Sequence, residues 1–216
     1  MRRGVGIFVR KDLNYQVINV KNSIIKGVIE SLWIKLETAS GTKIIGNCYR
    51  PNTAPLASVS EFNIAMEEIL YSLKKKFSKA NLIVAGDFNI DLFKNDSHSL
   101  TTEFLTLMFG YGLMPLITKP TRITHSSYTL IDNIFTDDNC SSTGGLVSTD
   151  ISDHEALFML DTSILHLNKL QVKSRCTRPE NMSRLKSKLL DYDFSDIVNN
   201  SDTLTAFSGF FLSLTL

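Results

Sequence analysis

The apolar run Leu82-Ile83-Val84-Ala85 passes directly into Gly86-Asp87-Phe88-Asn89. Four apolar residues bounded by turn formers read as a short buried strand, and this one ends on a carboxylate and an amide two positions apart. Residues at that spacing on an extended backbone point to the same side. A buried strand must be covered on its faces, and the rest of the chain supplies the cover.

Upstream, Gly4 to Val9 and Tyr15 to Val20 read as strands joined by a polar turn over Arg10 to Asn14. Val28 to Leu36 and Lys43 to Tyr49 read as the arms of an antiparallel hairpin turning over Ala39 to Thr42. Ser58-Val59-Ser60-Glu61 fits a capping box. Behind it, Phe62, Met66, Ile69, Leu70, Leu73 and Phe77 recur at helical spacing as far as Lys79. Downstream, the pattern predicts a helix over Glu103 to Leu113 and strands over Tyr128 to Thr136 and Glu155 to Leu160. The Ser/Thr/Gly-rich stretch Asn139 to Thr149 is expected to be a loop. Strands interspersed with amphipathic helices predict a layered α/β sandwich over residues 1–161. Residues 162–216 follow as a separate segment, with helical spacing only over 179–194 and 203–212.

Several function classes are excluded by composition. Three cysteines without a CxxC pair argue against a disulfide framework or a zinc site. No apolar run spans a bilayer and no signal-peptide layout opens the chain, so an intracellular protein with no membrane partner is expected. The net charge of +1 gives no overall attraction to a polyanion, but its distribution is uneven. Residues 1–80 carry +7, residues 81–162 carry −8 and residues 163–216 carry +2. The carboxylates are thus concentrated around the strand that ends at Asp87.

Four polar clusters stand at strand ends. Asp87 and Asn89 could share a phosphate or a water, or could simply make a turn. In Ser152-Asp153-His154-Glu155, a histidine flanked by carboxylates could serve as general acid or base, or could be a surface histidine on a capped turn. Asp132, inside the apolar stretch Tyr128 to Phe135, needs a partner unless it faces water, and His154 is the candidate. Tyr49 and Asn52 could hydrogen-bond a phosphate, and Arg50 between them could add charge. Carboxylates with one histidine, and with neither a nucleophilic serine nor clustered cysteines, match metal-assisted hydrolysis of a phosphate ester.

The series GVGIFVRK, NCYRPN, VAGDFNIDL, LIDNIFT and STDISDHEAL, in this order, resembles the endonuclease/exonuclease/phosphatase family of DNase I-like proteins. With the stretch Thr118 to Arg122, it looks closest to the endonuclease domain of jockey- and LINE-type non-LTR retrotransposons. The resemblance implies a four-layered α/β sandwich and magnesium-dependent phosphodiester cleavage, with manganese as a possible substitute. It implies that Asp87 orients or deprotonates the attacking water and that Asn89 stabilises the pentavalent phosphorus. Asp132 would pair with His154 on the scissile phosphate, Tyr49 and Asn52 would hold that phosphate, and Asp153 would support the metal, with Asp87 a further possible ligand.

In that family two strands precede the one resembling Gly4 to Val9, ending in a metal-contacting Asn and a metal-binding Glu. Neither Glu30 nor Glu37 has the required position, so a sandwich missing its first strands and its principal Glu is expected. DNA is the implied partner and a reverse transcriptase domain the implied ancestral neighbour in cis, with a nuclear location by analogy. Residues 162–216 would be the segment linking endonuclease to polymerase. The leading reading is therefore a truncated DNA-nicking endonuclease. A catalytically inactive retroelement remnant and a phosphatase of a soluble phosphoester or phosphoinositide are the alternatives.

Overall fold

The computed structural model describes residues 4–52, 57–138, 140–149, 152–162 and 179–195, without the side chains at 57, 58, 179 and 181. The chain divides into two compact units, residues 1–166 and 167–216. In the first, β1 (Tyr15–Ile18), β2 (Ile24–Ile25), β3 (Ile29–Thr38) and β4 (Gly41–Tyr49) lead to α1 (Ala57–Lys76) and β5 (Asn81–Asp87). Then come α2 (Ser99–Gly110), β6 (Met114–Pro115), β7 (Arg122–Ile123), β8 (Tyr128–Thr129), β9 (Asp132–Thr136), β10 (Ser142–Val147) and β11 (Ala156–Asp161). In the second unit, α3 spans Pro179–Leu190.

The main sheet has the order β1-β3-β4-β5-β9-β6, with β2 also paired to β3. β3 and β4 form the expected antiparallel hairpin, with Thr38 opposite Gly41. α1 carries the chain across to β5, which runs parallel to β4 and places Tyr49 opposite Asp87. β9 is antiparallel to β5 and places Asp132 opposite Asp87. Three polar strand ends are thereby brought side by side at one end of the sheet.

Side-chain alternation separates the two faces. Trp33, Ile44, Cys48, Leu82, Val84 and Phe135 are buried in one core with Phe62, Met66, Ile69 and Leu70 of α1 and Phe104 and Met108 of α2. Phe88, directly after β5, joins Phe62, Phe104 and Phe135 in an aromatic cluster with ring centroids 5.3–6.4 Å apart. It therefore anchors the turn that carries Asp87 and Asn89, at a depth where truncation to Ala costs about 3–5 kcal/mol. The opposite face carries Lys43, Ile83 and Ile134. There, buried Lys43 forms an ion pair with Asp161 of β11. The layered α/β arrangement expected from the sequence is present.

Several local expectations are corrected. Gly4 to Val9 forms no ladder among the described residues. Phe8 is fully exposed, and the segment is tied to the sheet by a hydrogen bond from Asn47 Nδ2 to the Gly6 carbonyl. Residues 142–147, expected as loop, form β10, paired with β11 over its whole length. Glycines suggested a loop there, but they serve close approach, since a Cβ on Gly144 would lie 2.6 Å from Leu116 Cβ and one on Gly145 2.5 Å from the Phe158 ring. Tyr128 to Thr136 is two strands, because β8 turns away to pair with β7 while β9 joins the main sheet. α1 already begins at Ala57, so Ser58 lies within its first turn; the side chain of Ser58 and the expected helix over 203–212 lie outside the described residues. No helix among the described residues is long and apolar enough to cross a membrane.

Candidate active site

The site begins with the backbone at the end of β5. Gly86 has φ +153°, and a Cβ there would fall 1.8 Å from the Cys48 carbonyl oxygen, so only glycine lets β4 and β5 approach this closely. The chain then holds Asp87 on the face away from the helices, buries Phe88 among the aromatic rings and sets Asn89 at φ +48°, the left-handed region. Asn tolerates that region better than most residues. The Asn89 N–H donates to Asp87 Oδ1 at 3.0 Å, and the Phe88 N–H donates to the Ile131 carbonyl at 2.9 Å, zipping this turn to the start of β9.

Arg50 holds the turn from below. Its Nε donates to the Phe88 carbonyl at 2.8 Å and its guanidinium to the Asn89 carbonyl at 2.6 Å, while Asn89 Nδ2 donates to the Arg50 carbonyl at 2.8 Å. The sequence suggested Arg50 as surface charge for a phosphate; instead it is buried and bound to main-chain oxygens. Burial lowers its pKa, opposed by the charge of Asp87.

His154 Nδ1 lies 2.9 Å from Asp132 Oδ2, so the expected pair forms across 22 residues. Thr121, fully buried, completes it: its Oγ1 donates to Asp132 Oδ2 at 2.8 Å and accepts from the N–H groups of Ile131 and Asp132 at 3.2 and 3.1 Å. Around His154, the Glu155 N–H donates to the Thr121 carbonyl and the Ile123 N–H to the Asp153 carbonyl. Thr121 was missed as a site residue because an isolated threonine carries no pattern. The signal that could have found it is Asp132 itself, a partly buried carboxylate with more acceptor capacity than one imidazole can fill.

Asp87, Asp132 and His154 present ligand atoms that all lie within 4.8 Å of one another. Two carboxylates opposite one another in register, with one imidazole, suit a divalent cation that prefers oxygen donors. Burial raises the pKa of Asp87, and the facing charge of Asp132 adds to the rise; the hydrogen bonds from Asn89 oppose both. A cation there would relieve that repulsion, so these residues fit a divalent metal.

Tyr49 is the register neighbour of Asp87 on β4, and Asn52 is exposed in the turn after Pro51. Asp153 is outside the cluster: its carboxylate accepts from Arg122 Nε at 2.7 Å, which lowers its pKa. Cys48 is buried beneath the site, and burial raises the pKa of its thiol, so it is no nucleophile.

Among solved structures, the chain is similar to the endonuclease domain of TRAS1, a telomere-specific non-LTR retrotransposon, with a TM-score of 0.52 and 15% identity over 68% of this chain and 66% of that one. It is also similar to the human Nocturnin catalytic domain, with a TM-score of 0.45 and 18% identity over 68% of this chain and 58% of that one. For D. rerio TDP2 complexed with single-strand DNA product, the TM-score is 0.47 and the identity 13%, over 68% of this chain and 66% of that one. The chain thus spans just under two thirds of the TRAS1 domain, and at such identities the likeness is one of fold. No curated protein matches the chain in sequence. The family model for the Endonuclease/Exonuclease/phosphatase family matches residues 1–154, most of the chain and every candidate site residue, and the chain belongs to that family.

Proposed function

We infer that this chain is a metal-assisted phosphodiesterase acting on DNA. The observation that carries the reading is the convergence of Asp87, Asp132 and His154 within 4.8 Å at the end of the main sheet, on elements far apart in sequence. Asp87, with its raised pKa, holds the attacking water and takes its proton. With Nδ1 engaged by Asp132, the His154 ring presents Nε2 to a phosphoryl oxygen, and Asp132 with Thr121 fixes the ring's orientation. Asn89, its Nδ2 set by the Arg50 carbonyl and its side chain beside Asp87, stabilises the oxygens around the pentavalent phosphorus. Tyr49 and Asn52 hold the phosphate from the β4 side, and Asp153, through Arg122, supports the His154 turn. Magnesium or manganese, held by the carboxylates of Asp87 and Asp132, would supply positive charge to offset the negative charge developing on the phosphoryl oxygens.

In its ancestral setting the product would be a nick in target DNA whose 3′ hydroxyl primes a reverse transcriptase encoded in cis. Support for that setting is the fold shared with the TRAS1 endonuclease domain. The test is a comparison of bis(p-nitrophenyl) phosphate with p-nitrophenyl phosphate, in magnesium and in EDTA. The expected result is hydrolysis of the diester, with the monoester slower by at least about tenfold, and loss of both rates in EDTA. A preference for the monoester would favour the phosphatase alternative. No hydrolysis by the folded chain would make it an inactive remnant.

A further inference from the structure

Beside the turn that carries Asn89 is a second cavity, of about 200 Å³, between that turn and the start of α2. Its polar wall is made by Arg50, Asn89, Asp91, Lys94, His98 and Thr101. Asn89 belongs to both places: its N–H binds the Asp87 carboxylate, and its residue lines the cavity. The two sites therefore share a wall.

The wall's donors are arranged for an anion. Asp91, its one acidic member, is committed elsewhere: Oδ1 accepts from the N–H groups of Leu130 and Phe93 at 3.1 and 3.3 Å, capping the short 3-10 turn Leu92–Lys94. Lys94 Nζ stands 3.8 Å from Asp91 Oδ2, beyond hydrogen-bond length, and its side chain is 63% exposed, so the ammonium can reach another oxygen without giving up a close bond. His98 Nδ1 is 3.1 Å from Oγ1 of the buried Thr101, which sets the ring. In the tautomer where that hydroxyl donates to Nδ1, the ring proton sits on Nε2 as a further donor. Residues 81–162 hold only three basic side chains, Lys94, Lys119 and Arg122, against eleven acidic ones. Arg122 is paired with Asp153, and Lys94 stands in this cavity.

We propose that the cavity lined by Lys94 and His98 is an auxiliary phosphate-binding subsite, which takes the neighbouring phosphate of a polynucleotide whose scissile phosphate lies at Asp87 and His154. The inference rests on the phosphodiesterase reading for its substrate class and adds two residues that hold the strand without touching the reacting atoms. It explains why an acidic stretch keeps a loosely paired lysine one turn away from Asn89.

The experiment is equilibrium binding of a fluorescently labelled single-stranded DNA oligonucleotide to the full 216-residue chain in EDTA, across a salt series. Lys94→Gln is expected to weaken binding about five- to tenfold and to lower the slope of log K against log salt by about 0.7. Lys94→Arg is expected to restore both. Lys94 is exposed, so folding is not at issue, and the double variant Lys94→Gln/His98→Gln should bind more weakly still. An unchanged dissociation constant and slope in the double variant, or no binding by the parent chain, would overturn the subsite. Binding that depends on Lys94, in a parent chain that hydrolyses no phosphodiester, would support the subsite while removing the catalytic reading.

Discussion

Asn89 and Arg50 bind each other's main chain: Asn89 Nδ2 donates to the Arg50 carbonyl at 2.8 Å, and the Arg50 guanidinium donates to the Asn89 carbonyl at 2.6 Å. This reciprocal clasp keeps Asn89 at φ +48° with its side-chain amide beside Asp87. A lysine has the charge but not the fork. Arg50→Lys is therefore expected to lower stability by about 2–4 kcal/mol, by stranding buried carbonyls. Hydrolysis should fall at least about tenfold under conditions where the variant is still folded, as checked by denaturant titration alongside kinetics.

The raised pKa of Asp87 has a defined sign for stability. Its folded-state pKa lies above the unfolded value, so the folded chain holds this proton more tightly. The associated stability is complete below the ordinary carboxylate range and is lost as pH rises through the folded-state titration. Asp87→Asn is expected to abolish magnesium-supported hydrolysis, yet in metal-free protein to raise Tm near neutral pH by roughly 1–3 °C. That gain should disappear as the pH falls below the titration of Asp87. A lower Tm at neutral pH would show that the carboxylate is stabilising and that burial and the facing Asp132 do not dominate.

Thr121 acts through Asp132 and His154, as a positioning residue. Thr121→Val keeps the shape but leaves two N–H groups without their partner and Asp132 Oδ2 with His154 alone, at a cost of about 2–4 kcal/mol. The rate constant kcat should fall at least about tenfold with little change in KM, and Thr121→Ser should restore it. Recovery of stability by serine without recovery of kcat would confine Thr121 to a structural role.

Gly86 is constrained by its surroundings. A methyl group there meets the Cys48 carbonyl at 1.8 Å, a contact neither strand can relieve without breaking the β4–β5 ladder. Gly86→Ala should cost about 3–5 kcal/mol and deplete soluble protein, whereas Gly110→Ala, which meets nothing within 4 Å, should be neutral or slightly stabilising. Thermal denaturation of the two variants checks the contrast.

Asp87 was legible because it stands at the end of an apolar run, where strand periodicity fixes the side of the sheet it faces. β5 and the β3–β4 hairpin were legible for the same reason. Asp132 stood out as a carboxylate inside an apolar stretch and His154 as a histidine flanked by carboxylates, whereas the direction of Asn89 is set beyond the strand, at φ +48°. What stayed hidden depends on partners distant in sequence. β10 looked like loop because its glycines are explained only by Leu116 and Phe158 packed against them. The break between β8 and β9 depends on β7 drawing Tyr128 and Thr129 into a second sheet. Gly4 to Val9 has the composition of a strand, yet no described strand pairs with it. Arg50 read as surface charge because nothing local reveals that the Phe88 and Asn89 carbonyls would capture it.

The most direct test of the central claim is nicking of supercoiled plasmid by the purified chain in magnesium or manganese, beside His154→Ala and Asp87→Asn. The account predicts conversion to open circles by the parent, a loss of at least about a hundredfold in each variant, and no activity in EDTA. Nicking that survives both substitutions would contradict it, as would a folded parent chain that leaves the plasmid supercoiled.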